Sequence, residues 1–123
     1  MNAAVNDVAA TVRPGVLSLS IREKSALFAA YMPFIKGGGL FIPTNKSYRM
    51  GEEVFMLLTL MDDPARLPVS GKVVWLTPSG AHGGRTQGVG VQFAFNESGK
   101  AVQNKIEGFL GGSLKSVRPT HTM

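Results

Sequence analysis

The chain has no cysteine, which removes disulfides, thiolate metal sites and a cysteine nucleophile together. Histidine is nearly as scarce: His82 and His121 stand alone and far apart in the sequence, so nothing at metal-ligand spacing is present. No apolar run approaches the ~20 residues that a membrane-spanning helix needs. The longest, 26–35, is interrupted by Pro33. A basic start followed by an apolar stretch, the mark of a secretory leader, is missing from 1–12. These absences lead to the expectation of a cytoplasmic, soluble chain. Charged residues make up only 17% against 44% hydrophobic, a balance that favours a folded core over a disordered one. At 123 residues, that core belongs to one domain.

The formal net charge of +5 raises the prior for an acidic partner. The Lys and Arg residues are scattered, however, and do not alternate with stacking aromatics as a single-strand nucleic-acid binder requires. The pattern reads as a solvated basic surface. Catalytic groupings are absent as well. Asp62-Asp63 reads as a turn initiator and Glu52-Glu53 as a strand entry, with no base, acid or nucleophile fixed beside them. Gly88-x-Gly90 has no helix directly after it and no phosphate-binding lysine motif. The expectation is a non-enzyme with no cofactor and no metal.

Residues 1–14 are small, polar and aperiodic, as in a frayed tail. Then Leu17, Leu19 and Ile21 alternate with serines, a half-buried strand over 16–21. The apolar run 26–35 is expected to be extended, with Pro33 placing it at an edge or a bulge. Gly37-Gly38-Gly39 permits positive φ and a sharp turn into a strand over 40–42. Further strands are expected at 53–61, 69–77 and 88–95, with Val89, Val91, Phe93 and Phe95 on one face of the last. The period then changes: Val102, Ile106, Phe109 and Leu110 form one helical stripe, capped by Asn96 or Ser98 and stopped by Gly111-Gly112. Six strands and one terminal helix predict a mainly β chain: a small barrel with a C-terminal helix closing it. The barrel and helix span 15–112, with flexible tails at 1–14 and 113–123.

The ordered set of Gly38-Gly39-Leu40-Phe41-Ile42, Gly51, Gly71-Lys72-Val73-Val74-Trp75 and Gly88-Val89-Gly90-Val91-Gln92-Phe93 resembles the PilZ domain family over roughly 16–110. The fold that the resemblance implies is a six-stranded PilZ-type β-barrel with a C-terminal helix. Members that bind cyclic di-GMP carry an R-x-x-x-R segment and a D/N-x-S-x-x-G turn. Here Gly39 fits the last position of that turn, but Phe34 stands at the acid position and Lys36 at the serine position. Arg13 is followed four residues later by Leu17, and Arg22 by Ala26, so neither completes the arginine pair. Two arginines would supply forked donors for phosphate and flat cations for stacking on guanine.

Residues 29–36 and 114–123 are most similar to the type IV pilus biogenesis branch of the family, which lacks the nucleotide motifs. That branch implies a non-catalytic adaptor in pilus biogenesis and twitching motility. Its implied partners are a PilB-type pilus assembly ATPase and a FimX-type degenerate GGDEF-EAL protein. The alternative is a cyclic di-GMP receptor with substitute contacts from Arg13, Arg22 and Lys24.

Candidate interface residues follow from the apolar run 26–35, which has hydrophobic groups on both faces: Phe28, Tyr31, Met32, Phe34 and Ile35. Either one face fills the barrel while the helix covers the other, or part of the run is an exposed patch with Phe28 and Tyr31 as its anchors. Pro33 adds the possibility of an open edge for strand addition. Trp75, read as sharing a face with Val73 and Gly71, is either core or a partner contact. Lys115 and Arg118 are the candidate contacts of the C-terminal tail.

Overall fold

The computed structural model describes residues 8–13, 16–44, 46–78 and 87–111, the first of these segments by its backbone. In chain order the elements are β1 (Val8–Arg13), β2 (Val16–Ile21), α1 (Lys24–Ala30), β3 (Gly39–Pro43), β4 (Glu53–Leu60), β5 (Arg66–Thr77), β6 (Gly88–Phe93) and α2 (Glu97–Leu110). The strands form one sheet in the order β1-β2-β4-β5-β6-β3. Only β2 and β4 run parallel. The sheet curls into a half-barrel, and α2 packs against α1, β5 and β6.

Alternation builds the concave core. Leu17, Leu19 and Ile21 on β2 are buried, as are Val54, Met56, Leu58 and Leu60 on β4. Val91 and Phe93 of β6 join Val102, Ile106 and Leu110 of α2 in the same cluster. Each such side chain contributes roughly 1.5–3 kcal/mol by leaving water. The α2 stripe sits where its 3.6-residue period predicts. Asn96 caps the helix, its side chain accepting from the Gly99 amide at 2.9 Å. Gly111 ends it at φ 49°.

Five of the six expected strands are present. Residues 26–35, expected to be the sixth, instead give α1 and a turn. Ala26, Leu27, Ala29 and Ala30 are strong helix formers, and an unbroken apolar run has no period by which to separate a buried helix from a buried strand. Seven residues cannot hold a helix in isolation. Glu23 makes no side-chain cap, so burial of Ala26, Leu27, Phe28 and Ala30 holds it. Tyr31 ends it in extended conformation, and Pro33 disfavours helical φ/ψ at Met32. Pro33 therefore lies exposed in a turn and not on a strand edge. Residues 8–13, expected within a frayed tail, form β1, paired antiparallel with β2 along its length.

Two more departures shape the candidate site. Strand β5 starts at Arg66, earlier than expected, with Pro68 in its ladder opposite Leu57. It also carries a bulge: Val73 pairs with Val91, but Trp75 pairs with Gly90. Two residues advance on β5 while one advances on β6, so Val74 has no partner. Trp75 is thereby turned to the face opposite Val73, which corrects the shared face read from the sequence.

Candidate functional site: an aromatic face beside the 32–38 turn

The site begins with how α1 is connected to β3. Tyr31 bridges to Leu40, and the Met32 amide donates to the Gly39 carbonyl at 2.9 Å. Inside this clamp the chain makes two successive turns, Ile35 amide to Met32 carbonyl at 3.3 Å and Gly38 amide to Ile35 carbonyl at 2.8 Å. Gly37 and Gly38 adopt φ near +80°, a region that L side chains enter only with strain. The expected glycine turn is therefore real, and its tip presents Phe34.

Phe34 is 46% exposed, and its ring meets Trp75 edge to face, with centroids 6.4 Å apart at 63°. This geometry matches the preferred arrangement of aromatic quadrupoles. The Trp75 indole N–H donates to Thr77 Oγ1 at 2.8 Å, which satisfies its one donor. Beneath it the ladder places Trp75, Gly90 and Phe41 in one cross-strand row. A Cβ on Gly90 would lie 2.7 Å from Trp75 Cβ and 2.8 Å from Met32 Sδ and Cε. Glycine is thus required for Trp75 and Met32 to close over the strand. Met32 and Phe41 are fully buried here, yet stand apart from the main core cluster. The convex face therefore carries a small second apolar cluster, with Phe34 and Trp75 as its solvent-facing cover.

On the other flank of the turn, the Lys36 ammonium sits 5.9 Å from the Phe95 ring centroid. The Lys36 carbonyl accepts from Gln92 Nε2 at 2.9 Å. The turn is tied to α2 through Tyr31, whose hydroxyl donates to Glu107 Oε2 at 2.6 Å. Burial holds the Tyr31 phenol well above the usual tyrosine range, and the Glu107 carboxylate adds to the shift.

The candidate residues divide sharply. Phe34 is exposed, while Ile35 and Trp75 are half-buried. Phe28, Tyr31 and Met32 are 8%, 1% and 0% exposed. The expectation that Phe28 and Tyr31 anchor an exposed patch is therefore corrected: the run they belong to is a helix packed into the core, and their rings fill it. Met32 likewise offers no surface. Lys115, Arg118, His82 and His121 lie outside the described residues. Arg22 and Lys24, the alternative phosphate contacts, are exposed where β2 passes into α1.

Sequence reading missed Phe95. Alternation placed it on one face with Val89, Val91 and Phe93, but β6 ends at Phe93 and Phe95 is 70% exposed. The signal was the Asn96 cap, which forces the chain out of the ladder before the helix starts. Among the described residues no three His, Cys, Asp or Glu side chains gather as a metal would need. No helix among them is long and apolar enough to cross a membrane. What the face can do is bury aromatic and apolar surface against a partner.

No curated protein matches this sequence. A family model does: the PilZ domain matches residues 13–112. That span runs from the last residue of β1 through α2 and takes in β2 to β6, the 32–38 turn, Phe34 and Phe95. PilZ domains are in general binding or adaptor domains without catalysis, and the chain belongs to the PilZ domain family.

Proposed function

We propose that this PilZ domain is a non-catalytic adaptor of type IV pilus assembly, linked to cyclic di-GMP signalling through its partners and not through a nucleotide of its own. The observation that carries the reading is Phe34. It occupies the acid position of the D/N-x-S-x-x-G turn, and its ring packs on Trp75 across the face. The residues present do not suit the nucleotide: Phe34 has no acceptor for a base edge, and the Lys36 ammonium lies over Phe95. An exposed Phe34 on the turn, backed by a half-buried Trp75 over the Gly90 floor, is the kind of aromatic surface that dominates protein–protein affinity. A PilB-type ATPase and a FimX-type GGDEF-EAL protein are the partners implied by the resemblance to the pilus branch.

The test pairs calorimetry with pull-down. Cyclic di-GMP titrated into the purified protein should give no saturable heat. Phe34→Ala should weaken capture of the ATPase or of the EAL protein by about tenfold or more, the scale of a central aromatic hot spot, with an unchanged circular dichroism spectrum. Micromolar or tighter nucleotide binding would instead establish a receptor with substitute contacts. Unaltered capture of both partners by Phe34→Ala would remove this face from the mechanism.

A further inference from the structure

Phe95 is the most exposed large hydrophobic side chain among the described residues, at 70%, yet its position is tightly fixed. The Ala94 amide before it donates to the Ser70 carbonyl at 2.9 Å, and the Asn96 amide after it donates to the Ala94 carbonyl at 2.9 Å. A Cβ on Gly37 would fall 2.8 Å from Phe95 Cε1, so the turn closes against one edge of the ring. An aromatic offered to solvent from a backbone held on both sides has only its two side-chain torsions left to order on binding, which is the property of a good anchor.

Two cavities open on either side of this ring. One, of about 410 Å³, is bordered by Gly37, Asn96, Lys100 and Gln103. The other, of about 280 Å³, is bordered by Ser70, Lys72 and Gln92. Three cations therefore surround Phe95: Lys36 over the ring, Lys100 on one side and Lys72 on the other. None forms an ion pair among the described residues, where Lys105–Asp63 is the ion pair present. Glu53 and Glu97 also border these cavities. Glu53 stands opposite Lys72 in the ladder, which leaves Lys36 and Lys100 with Glu97 as their only acidic neighbour along the cavity rims.

We propose that Phe95 anchors a second docking surface, distinct from the Phe34–Trp75 pair, for an extended acidic segment of a partner protein. An apolar side chain of that segment packs on the Phe95 ring and into a flanking cavity, and carboxylates on either side of it meet Lys36 and Lys100. The chain's overall charge of +5 steers an acidic segment toward this protein. A basic segment would meet the same lysines unfavourably, and a neutral one would leave them unpaired. The surface stands on Phe95 and its lysines alone, whichever partners the Phe34–Trp75 face takes.

A random-peptide phage library selected in parallel on the wild-type protein and on Phe95→Ser tests this. Phe95 contributes little to the core, so the variant should keep its thermal midpoint. The expected outcome is enrichment on the wild type of peptides that place Asp or Glu beside an aliphatic or aromatic residue. Their affinity, measured by fluorescence anisotropy, should fall about tenfold or more in Phe95→Ser. Lys100→Glu should weaken them several-fold, and added salt should do the same. Phe34→Ala should leave them within about twofold, which separates failure here from failure at the other face. Peptides that are neutral or basic, that bind Phe95→Ser equally, or that are lost with Phe34→Ala would each overturn the proposal. Absence of any enrichment on the wild type over Phe95→Ser would overturn it too.

Discussion

Tyr31 is a structural latch, so its substitutions should act on stability before they act on binding. The ring is 1% exposed and the hydroxyl donates to Glu107 at 2.6 Å. Tyr31→Phe keeps the ring and deletes that bond. A hydrogen bond to a charged group contributes ~1.5–3 kcal/mol. Glu107 is itself only half-buried and recovers some hydration, so the expected loss is near 1.5 kcal/mol. Tyr31→Ala also removes the buried ring and should cost ~3–5 kcal/mol. Against a total stability of ~5–15 kcal/mol, that leaves a thin margin.

Urea denaturation of the two variants, with Glu107→Gln and the double mutant to complete a cycle, measures the coupling directly. pH provides an independent handle. Burial and then the Glu107 carboxylate hold the folded-state phenol above the ordinary tyrosine value of 10.0, near which the unfolded chain ionises. The contribution is therefore whole below about pH 10 and shrinks as pH rises beyond it. Tyr48, the other tyrosine, is shifted the same way by burial and then by Glu52, so Tyr31→Phe should lessen the alkaline loss without abolishing it. A Tyr31→Phe protein as stable as wild type at neutral pH, with an unchanged alkaline limb, would refute the latch. A Tyr31→Ala protein that remained fully stable but lost its partners would restore Tyr31 to the interface.

Gly90→Ala should cost about 1–3 kcal/mol by overpacking. The added methyl meets Trp75 Cβ at 2.7 Å, and because Trp75 is the only tryptophan, its fluorescence should report the displacement. A variant with native emission and native stability would contradict that close approach. Asn96→Ala should destabilise by ~1 kcal/mol through loss of the cap to the Gly99 amide, read as a lowered urea midpoint at unchanged slope. Lys105 and then the Ala65 amide, bonding to its charged form, hold the Asp63 carboxyl below the ordinary aspartate value of 3.8. Its contribution should be present above pH 3.8 and fade as pH falls through the lower folded value. Lys105→Gln should move the Asp63 midpoint, followed by NMR, back upward.

Much of the scaffold was legible because its signals are local. The serine-spaced apolar residues of β2, the α2 stripe with its Asn96 cap, and the glycine turn at 37–39 each depend on a few neighbouring positions. Segment 26–35 was not legible in the same way. An unbroken apolar run carries no period, and what makes it helical is its tertiary burial beneath α2 and the sheet, together with Pro33 just beyond its end. The β1 strand failed for a related reason: a ladder is made by backbone amides and carbonyls, so residues of low strand propensity such as Ala9 and Ala10 can join one with no sequence signal.

The candidate face was hidden by register. Reading β5 as a regular strand puts Trp75 with Val73 in the core, since side chains alternate with period two. A one-residue excess on β5 between two ladder pairs reverses every side chain that follows. That single bulge moves Trp75 outward to meet Phe34, and the glycine opposite it supplies the floor. The same logic governs Phe95, where the ladder stops two residues short of the aromatic that alternation had grouped with Val89, Val91 and Phe93. Sequence could name Phe34 and Trp75 as candidates but not Phe95, because whether an aromatic fills the core or faces solvent depends on where the ladder slips and where it ends. Substituting at those two places, not at the most hydrophobic run, is what would disturb binding while sparing the core.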